Sequence, residues 1–231
     1  MQKILIAMAM FGTSIGAAAE SASVLVYRVW EKGADPYISR VLVNADYVRL
    51  DEGDSAGGYT LFDRQQEIIY NVQMSDRSVL VMNADWPPSV DGETLILQEQ
   101  VELDEQAPKV AGAQPKNVRL LANGELCSEM VVIEGVMEDA LEGLRELKLT
   151  LARVQSATLE AVPLDMRTPC DLAANVYAAD RSLKFGLPLQ ERSAGRSQSL
   201  VDFMPEHEAD DALFQLPADF SRRSMFGSGA I

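Results

Sequence analysis

Beyond residue 19 the polar and apolar positions alternate in short runs. Residues 23–31 place Val24, Val26, Arg28 and Trp30 on one parity and Leu25, Tyr27 and Val29 on the other. Period two marks a strand, and apolar residues on both parities mark a strand covered on both faces. Residues 38–43 and 47–51 flank Asn44-Ala45-Asp46, whose short polar side chains favour a turn. After the loop 51–58, residues 59–62 and 67–73 flank Asp63-Arg64-Gln65-Gln66, and Ser75-Asp76-Arg77 turns into 78–82. Turns at this spacing predict an antiparallel meander.

Trp86-Pro87-Pro88 interrupts the pattern, because proline has no N–H to give to a strand ladder. Alternation resumes over 93–103, with Leu95, Leu97, Glu99 and Val101 on one parity. A connection over 106–116 leads to two runs, 118–122 and 126–133, joined by Asn123-Gly124, the strongest short hairpin signal in the chain. The period then changes. Met137, Leu141, Leu144, Leu147, Leu151 and Val154 recur every three or four residues, with Glu138, Asp139, Glu142, Arg145, Glu146 and Lys148 between them. This predicts an amphipathic helix over 137–160 that stops before Pro163. At 1.5 Å per residue it is about 36 Å long, enough to cross a sheet.

Thr168-Pro169-Cys170-Asp171 reads as an N-cap, an N1 proline and an acidic third residue, so a second, short helix is expected to start there and end before Gly186. Residues 187–192 and 197–203 form a last hairpin around Ser193-Ala194-Gly195-Arg196. Residues 206–211 read as an acidic loop, Leu213-Phe214-Gln215-Leu216-Pro217 as an apolar plug, and 221–231 as a flexible tail. The expectation is one α+β domain over 20–220, a curved antiparallel sheet with a long and a short helix packed on it.

The first 19 residues have different chemistry. Lys3, an apolar run over 4–16 and Ala17-Ala18-Ala19 have the form of a secretory signal peptide, shorter than the roughly 20 apolar residues that span a bilayer. Cleavage is expected after Ala19, leaving a soluble mature chain in the periplasm with no stable membrane anchor. Gly12-Thr13-Ser14-Ile15-Gly16 matches a hydrolase nucleophile pattern, but that pattern needs a strand before it and a helix after it, and here it lies inside the address. In an oxidising compartment the two cysteines, Cys127 and Cys170, are expected to form a structural disulfide. They lie too far apart for a Cys-x-x-Cys redox motif.

Composition narrows the function classes. Twenty Lys and Arg against 35 Asp and Glu give a net charge of −15, which disfavours nucleic acid, whose phosphates require clustered cations. The single histidine, His207, lies among adjacent acids without the i, i+4 partner of a zinc helix. The run Asp51-Glu52-Gly53-Asp54-Ser55 lacks the closing Glu of a calcium loop, since Phe62 holds that position. No nucleophile–base set, metal set or phosphate-cradling loop can be assembled, so no catalytic, cofactor or metal residue is assigned and the chain is not read as an enzyme. Trp30, Trp86, Tyr27 and Tyr70 remain as candidate lining of an apolar pocket.

Several short motifs carry a resemblance. Gly186-Leu187-Pro188-Leu189 with its following hairpin, Leu213-Phe214-x-Leu216-Pro217-x-x-Phe220, the run 38–50 with its Tyr-Val-Arg-Leu core, and a lone Cys just after Asn123-Gly124 together resemble a bacterial envelope family of unknown function. More distantly they resemble the periplasmic lipoprotein-carrier fold. That resemblance implies an incomplete antiparallel barrel with helices over its concave side, and it implies no catalytic residues. The expected function is therefore a periplasmic binding or carrier-like module for an apolar or acyl group. The alternative is an envelope protein–protein interaction module whose concavity is filled by its own helix and the 213–216 plug.

Overall fold

The computed structural model describes residues 20–54, 57–83, 95–163 and 167–226. The signal segment and Trp86-Pro87-Pro88 lie outside the described residues. Twelve strands form one sheet: β1 Glu20–Glu31, β2 Tyr37–Val43, β3 Tyr47–Asp51, β4 Tyr59–Asp63, β5 Ile68–Gln73, β6 Ser78–Met82, β7 Leu97–Leu103, β8 Lys116–Ala122, β9 Glu125–Ile133, β10 Leu187–Ser193, β11 Arg196–Ala209 and β12 Ser221–Ser224. Their order across the sheet is β12-β6-β5-β4-β3-β2-β1-β11-β10-β9-β8-β7. Every pairing is antiparallel except β12 on β6, which is parallel. The meander read from the sequence is half of this sheet, and the central seam is the long-range pairing of β1 with β11.

The turn chemistry behaves as the side chains dictate. Asn44 Oδ1 accepts from the backbone N–H of Asp46 and Tyr47, at 3.0 and 2.6 Å, and closes the β2–β3 turn. Asn123 at φ 50° and Gly124 at φ 81° supply the two left-handed residues of the β8–β9 hairpin.

Helix α1, Glu138–Thr158, lies across one face, here called the inner face, and a short 3₁₀ turn, Leu159–Ala161, follows it. Leu141 and Leu147 are buried, while Leu144 and Leu151 pack half-buried against the same cluster. That cluster takes Leu25, Tyr27 and Val29 from β1, Val41 and Val43 from β2, Val48 from β3, Phe62 from β4 and Ile69 from β5. Helix α2, Pro169–Leu172, starts where the sequence placed it: the Thr168 hydroxyl accepts from Asp171 N–H at 3.1 Å. It continues into a wider turn over Ala173–Tyr177, and a 3₁₀ turn follows over Arg181–Phe185.

The other parity of β1 is covered over Ala22, Val24 and Val26, while Arg28 and Trp30 further along it are exposed. After β11 the chain passes through a 3₁₀ turn, Asp211–Phe214, and crosses the outer face. Phe214 is buried and stacks on Tyr47 with ring centroids 6.2 Å apart. Arg49 Nη1 donates to Leu213 O at 2.7 Å, and the Tyr59 hydroxyl donates to Gln215 O at 2.9 Å.

Three expectations are corrected. The sheet is an extensive, open, curved one rather than an incomplete barrel: its two edges are β7 and β12, and β12 extends it beyond β6. Local composition could not count the strands joined by such distant pairings. Residues 206–209 are not an acidic loop but the end of β11, where Glu208 and His207 stand opposite Ser21 and Ala22. Their charged side chains are exposed while the backbone pairs. The expected tail begins with strand residues, since Ser221 to Ser224 pair with Ser78 to Val81.

Candidate functional site

The two halves of the inner face are covered differently. Over β2–β5 α1 sits directly on the sheet, and Gly143 brings its backbone close to Val43 and Val48. Over β1, β11, β10, β9 and β8 the cover is α2 and the turns up to Phe185, and these stand off. A cavity of about 390 Å3 remains between them and the strands. Its walls are largely apolar: Tyr27, Val41 and Leu50 from the sheet's centre, Leu120 from β8, Leu144 from α1, and Ala173, Ala178, Ala179 and Leu183 from the cover. Lys148, Asp171, Asn175 and Arg196 also line it.

The disulfide is part of this wall. Cys127 and Cys170 are bonded, with Cα atoms 5.1 Å apart, and both line the cavity. The bond ties the start of α2 to β9. A second tie is Arg181, itself buried. Its Nε donates to Glu99 Oε1 at 2.9 Å, its Nη1 to Leu121 O at 3.0 Å, and its Nη2 to Gln98 O. The cover is thus pinned at two points, to β9 and to the β7–β8 edge.

The polar groups deep in the cavity satisfy one another. The Tyr27 hydroxyl donates to Pro188 O at 3.1 Å. Burial, and secondarily the charge of Glu191, push its pKa far above the ordinary tyrosine value, so it remains a neutral donor. Glu191 accepts from Gln198 Nε2 at 2.9 Å and from the Ser128 hydroxyl at 3.4 Å. With these bonds made internally, the surface left for a ligand is chiefly hydrocarbon.

Of the aromatic residues singled out in the sequence, Tyr27 lines this cavity. Tyr70 packs in the outer-face cluster under the C-terminal crossing. Trp30 faces the opposite side, and Trp86 lies outside the described residues. Sequence reasoning missed Glu191 and Gln198. The available signal was a polar residue at an inward parity of an otherwise half-apolar strand, visible only once the register is known. The Asp51 loop is occupied by the protein itself: Asp51 accepts from Arg40 at 2.8 Å, from Arg49 at 2.6 Å and from Gly53 N–H at 2.9 Å. Among the described residues no cluster of three or more His, Cys, Asp or Glu is arranged to hold a metal. No helix among them is long and apolar enough to cross a membrane.

The outer face of the same strands forms a trough of about 960 Å3. Register sets two rows across it. Trp30, Ser197, Arg192, Glu129, Arg119 and Gln100 stand opposite one another from strand to strand. The neighbouring row runs Arg28, Ser199, Gln190, Val131, Asn117 and Glu102.

No family model and no curated protein matches this chain. Among solved structures it is similar to an uncharacterized conserved protein from Thermus thermophilus, with a TM-score of 0.44 and 9% sequence identity, over 89% of this chain and 91% of that one.

Proposed function

We propose that this protein is an exported, periplasmic binding module that holds an apolar or acyl group between its sheet and its α2 cover. The observation that carries the reading is the apolar cavity beside Tyr27, whose deep polar groups, Tyr27 and Glu191, already have hydrogen-bond partners within the protein. Its volume falls within the roughly 300–1,000 Å3 of pockets that hold small molecules. The ligand's tail lies against Leu120, Leu144 and Leu183, and an anionic head group meets Lys148 and Arg196. The module has no catalytic role. The distant likeness to lipoprotein carriers belongs to this proposal, and so does export by the 1–19 segment.

Displacement of a fluorescent fatty acid from the delipidated protein tests it. Saturable, micromolar binding that is lost in Ala178→Phe, which fills the cavity, supports the reading. No saturable binding in either the oxidised or the reduced protein removes it and leaves the interaction module. One observation favours that second reading: edge strand β7 exposes Leu97, Val101 and Leu103. Pull-down with a β7 edge variant, Val101→Lys, tests it independently of the cavity.

A further inference from the structure

The outer trough has a chemistry unlike the cavity behind it. In its two rows only Trp30 and Val131 are apolar. The side chains of Gln100, Asn117 and Gln190 are exposed amides, each offering a donor and an acceptor in one plane. Ser197 and Ser199 add hydroxyls that also do both. The charges along the rows nearly cancel: Arg119 and Arg192 stand against Glu102 and Glu129, Arg119 Nε donates to Glu129 Oε1 at 3.0 Å, and the one further cation, Arg28, lies at the β1 end over the Trp30 ring. In a chain of net charge −15, this is a nearly neutral surface. It has no cluster of unpaired cations for phosphates and no excess of anions for a basic peptide.

A matching ligand is uncharged, rich in groups that both donate and accept, and possesses a flat C–H face. Trp30 supplies the surface for that face. It is 39% exposed at one end of the row, with the Arg28 guanidinium 5.9 Å from its ring. Aromatic rings of this kind combine a large apolar face with a polar edge. At about 4.8 Å between strands, the row from β1 to β7 is about 24 Å long, which suits a linear chain of rings rather than one ring. An acyl chain would leave the amides without partners, and unmet polar groups disfavour it. An extended peptide pairs along a sheet edge rather than across its strands.

We propose that this trough binds a neutral oligosaccharide lying across the strands, with Trp30 as its stacking platform and Gln100, Asn117 and Gln190 as its hydrogen-bonding amides. This site is separate from the acyl cavity and does not depend on it.

The chain has two tryptophans, so Trp86→Phe leaves Trp30 as the sole reporter. The full exported protein is titrated with maltohexaose, cellohexaose, chitohexaose and laminarihexaose, and with an oligogalacturonate as the acidic comparison. The expected result is a saturable change in Trp30 emission with at least one neutral hexasaccharide. Calorimetry should then show at least a tenfold loss of affinity in Trp30→Ala and in the double variant Asn117→Ala/Gln190→Ala. The double variant alters exposed side chains only and decides the matter if Trp30→Ala fails to fold. Ala178→Phe should leave saccharide affinity unchanged. Saturation by the acidic oligomer alone, no saturation by any neutral one, or affinity untouched by the double variant overturns the proposal.

Discussion

Helix α1 meets the sheet at Gly143, and that contact can be tested by adding one methyl group. A Cβ at residue 143 would stand 2.8 Å from Val43 Cγ1 and 2.9 Å from Val48 Cγ2. Carbon atoms in comfortable contact lie about 3.5–4.0 Å apart. Val43 and Val48 are both buried and directly opposite each other on β2 and β3. Each is β-branched and stiff at χ1, so neither can swing away. Two effects of Gly143→Ala oppose each other. Helix propensity favours alanine by about 0.8–1.0 kcal/mol. Overpacking a filled core costs about 1–3 kcal/mol. The clash wins, by up to about 2 kcal/mol. In urea unfolding the midpoint should fall while the slope m stays constant. Val43→Ala alone should also destabilise. Combined with Gly143→Ala it should cost less than the sum, with a coupling of about 0.5–3 kcal/mol, because the new methyl enters the space the valine vacates. A Gly143→Ala protein stabilised by its propensity gain, with no coupling to Val43, would refute the reasoning and place α1 away from the sheet.

Two further predictions concern ionisation and cross-linking. Burial alone would raise the Asp51 pKa, but hydrogen bonds from Arg40, Arg49 and Gly53 N–H outweigh it and hold the carboxyl below its ordinary value. A group depressed in the folded state contributes stability that is complete above its unfolded pKa, about 3.9, and is lost as pH falls through the folded value. Asp51→Asn should therefore cost about 3–5 kcal/mol at neutral pH, because it leaves buried guanidinium unpaired, and unfolding midpoints of the two proteins should converge as pH drops below about 4; parallel curves would contradict this. Reducing Cys127–Cys170, which lie 43 residues apart, should cost about 4 kcal/mol on the chain-entropy account. Its calorimetric melting temperature should fall, and the protein should remain folded because Arg181 still holds the cover to the β7–β8 edge.

Local chemistry was legible in the sequence, and long-range pairing was not. The Thr168 cap, the Asn123-Gly124 turn and the α1 leucine stripe are each set by residues within one or two turns of themselves, so spacing alone locates them. Of the two apolar parities of β1, the inner one is buried through Val29, while the outer one is covered only as far as Val26. What covers the outer one is residues 211–220, nearly two hundred positions away, and no local pattern carries that information. The same gap explains β11. Residues 206–209 are too acidic to read as strand, yet pairing with the start of β1 satisfies their backbone while the charges remain in water. The cavity was the least legible feature. It depends on α2 and the following turns standing off the strands, a distance fixed by one disulfide and by Arg181 reaching backbone carbonyls of two different strands.

The arrangement also explains why both open regions fall on the same strands. Around β2–β5 the inner face is filled by α1 at the Gly143 contact, and the outer face around β3–β6 is filled by Phe214 and its neighbours, so a ligand has no room on either side. Among the described residues the segment from α2 to Phe185 covers the inner face of the other half, and nothing described crosses its outer face. In β10 and β11 period two therefore divides two tasks between adjacent residues. Glu191 and Gln198 turn inward and close the polar end of the cavity, while Gln190, Arg192, Ser197 and Ser199 turn outward into the trough. A one-residue slip of β10 would exchange its two sets, turning Gln190 and Arg192 into the hydrocarbon cavity and Glu191 out of it. The two-residue turn Ala194-Gly195, with Gly195 at φ 77°, sets that register by closing the pair Ser193–Arg196, and the Gln198–Glu191 bond joins the inward positions that this pairing brings together.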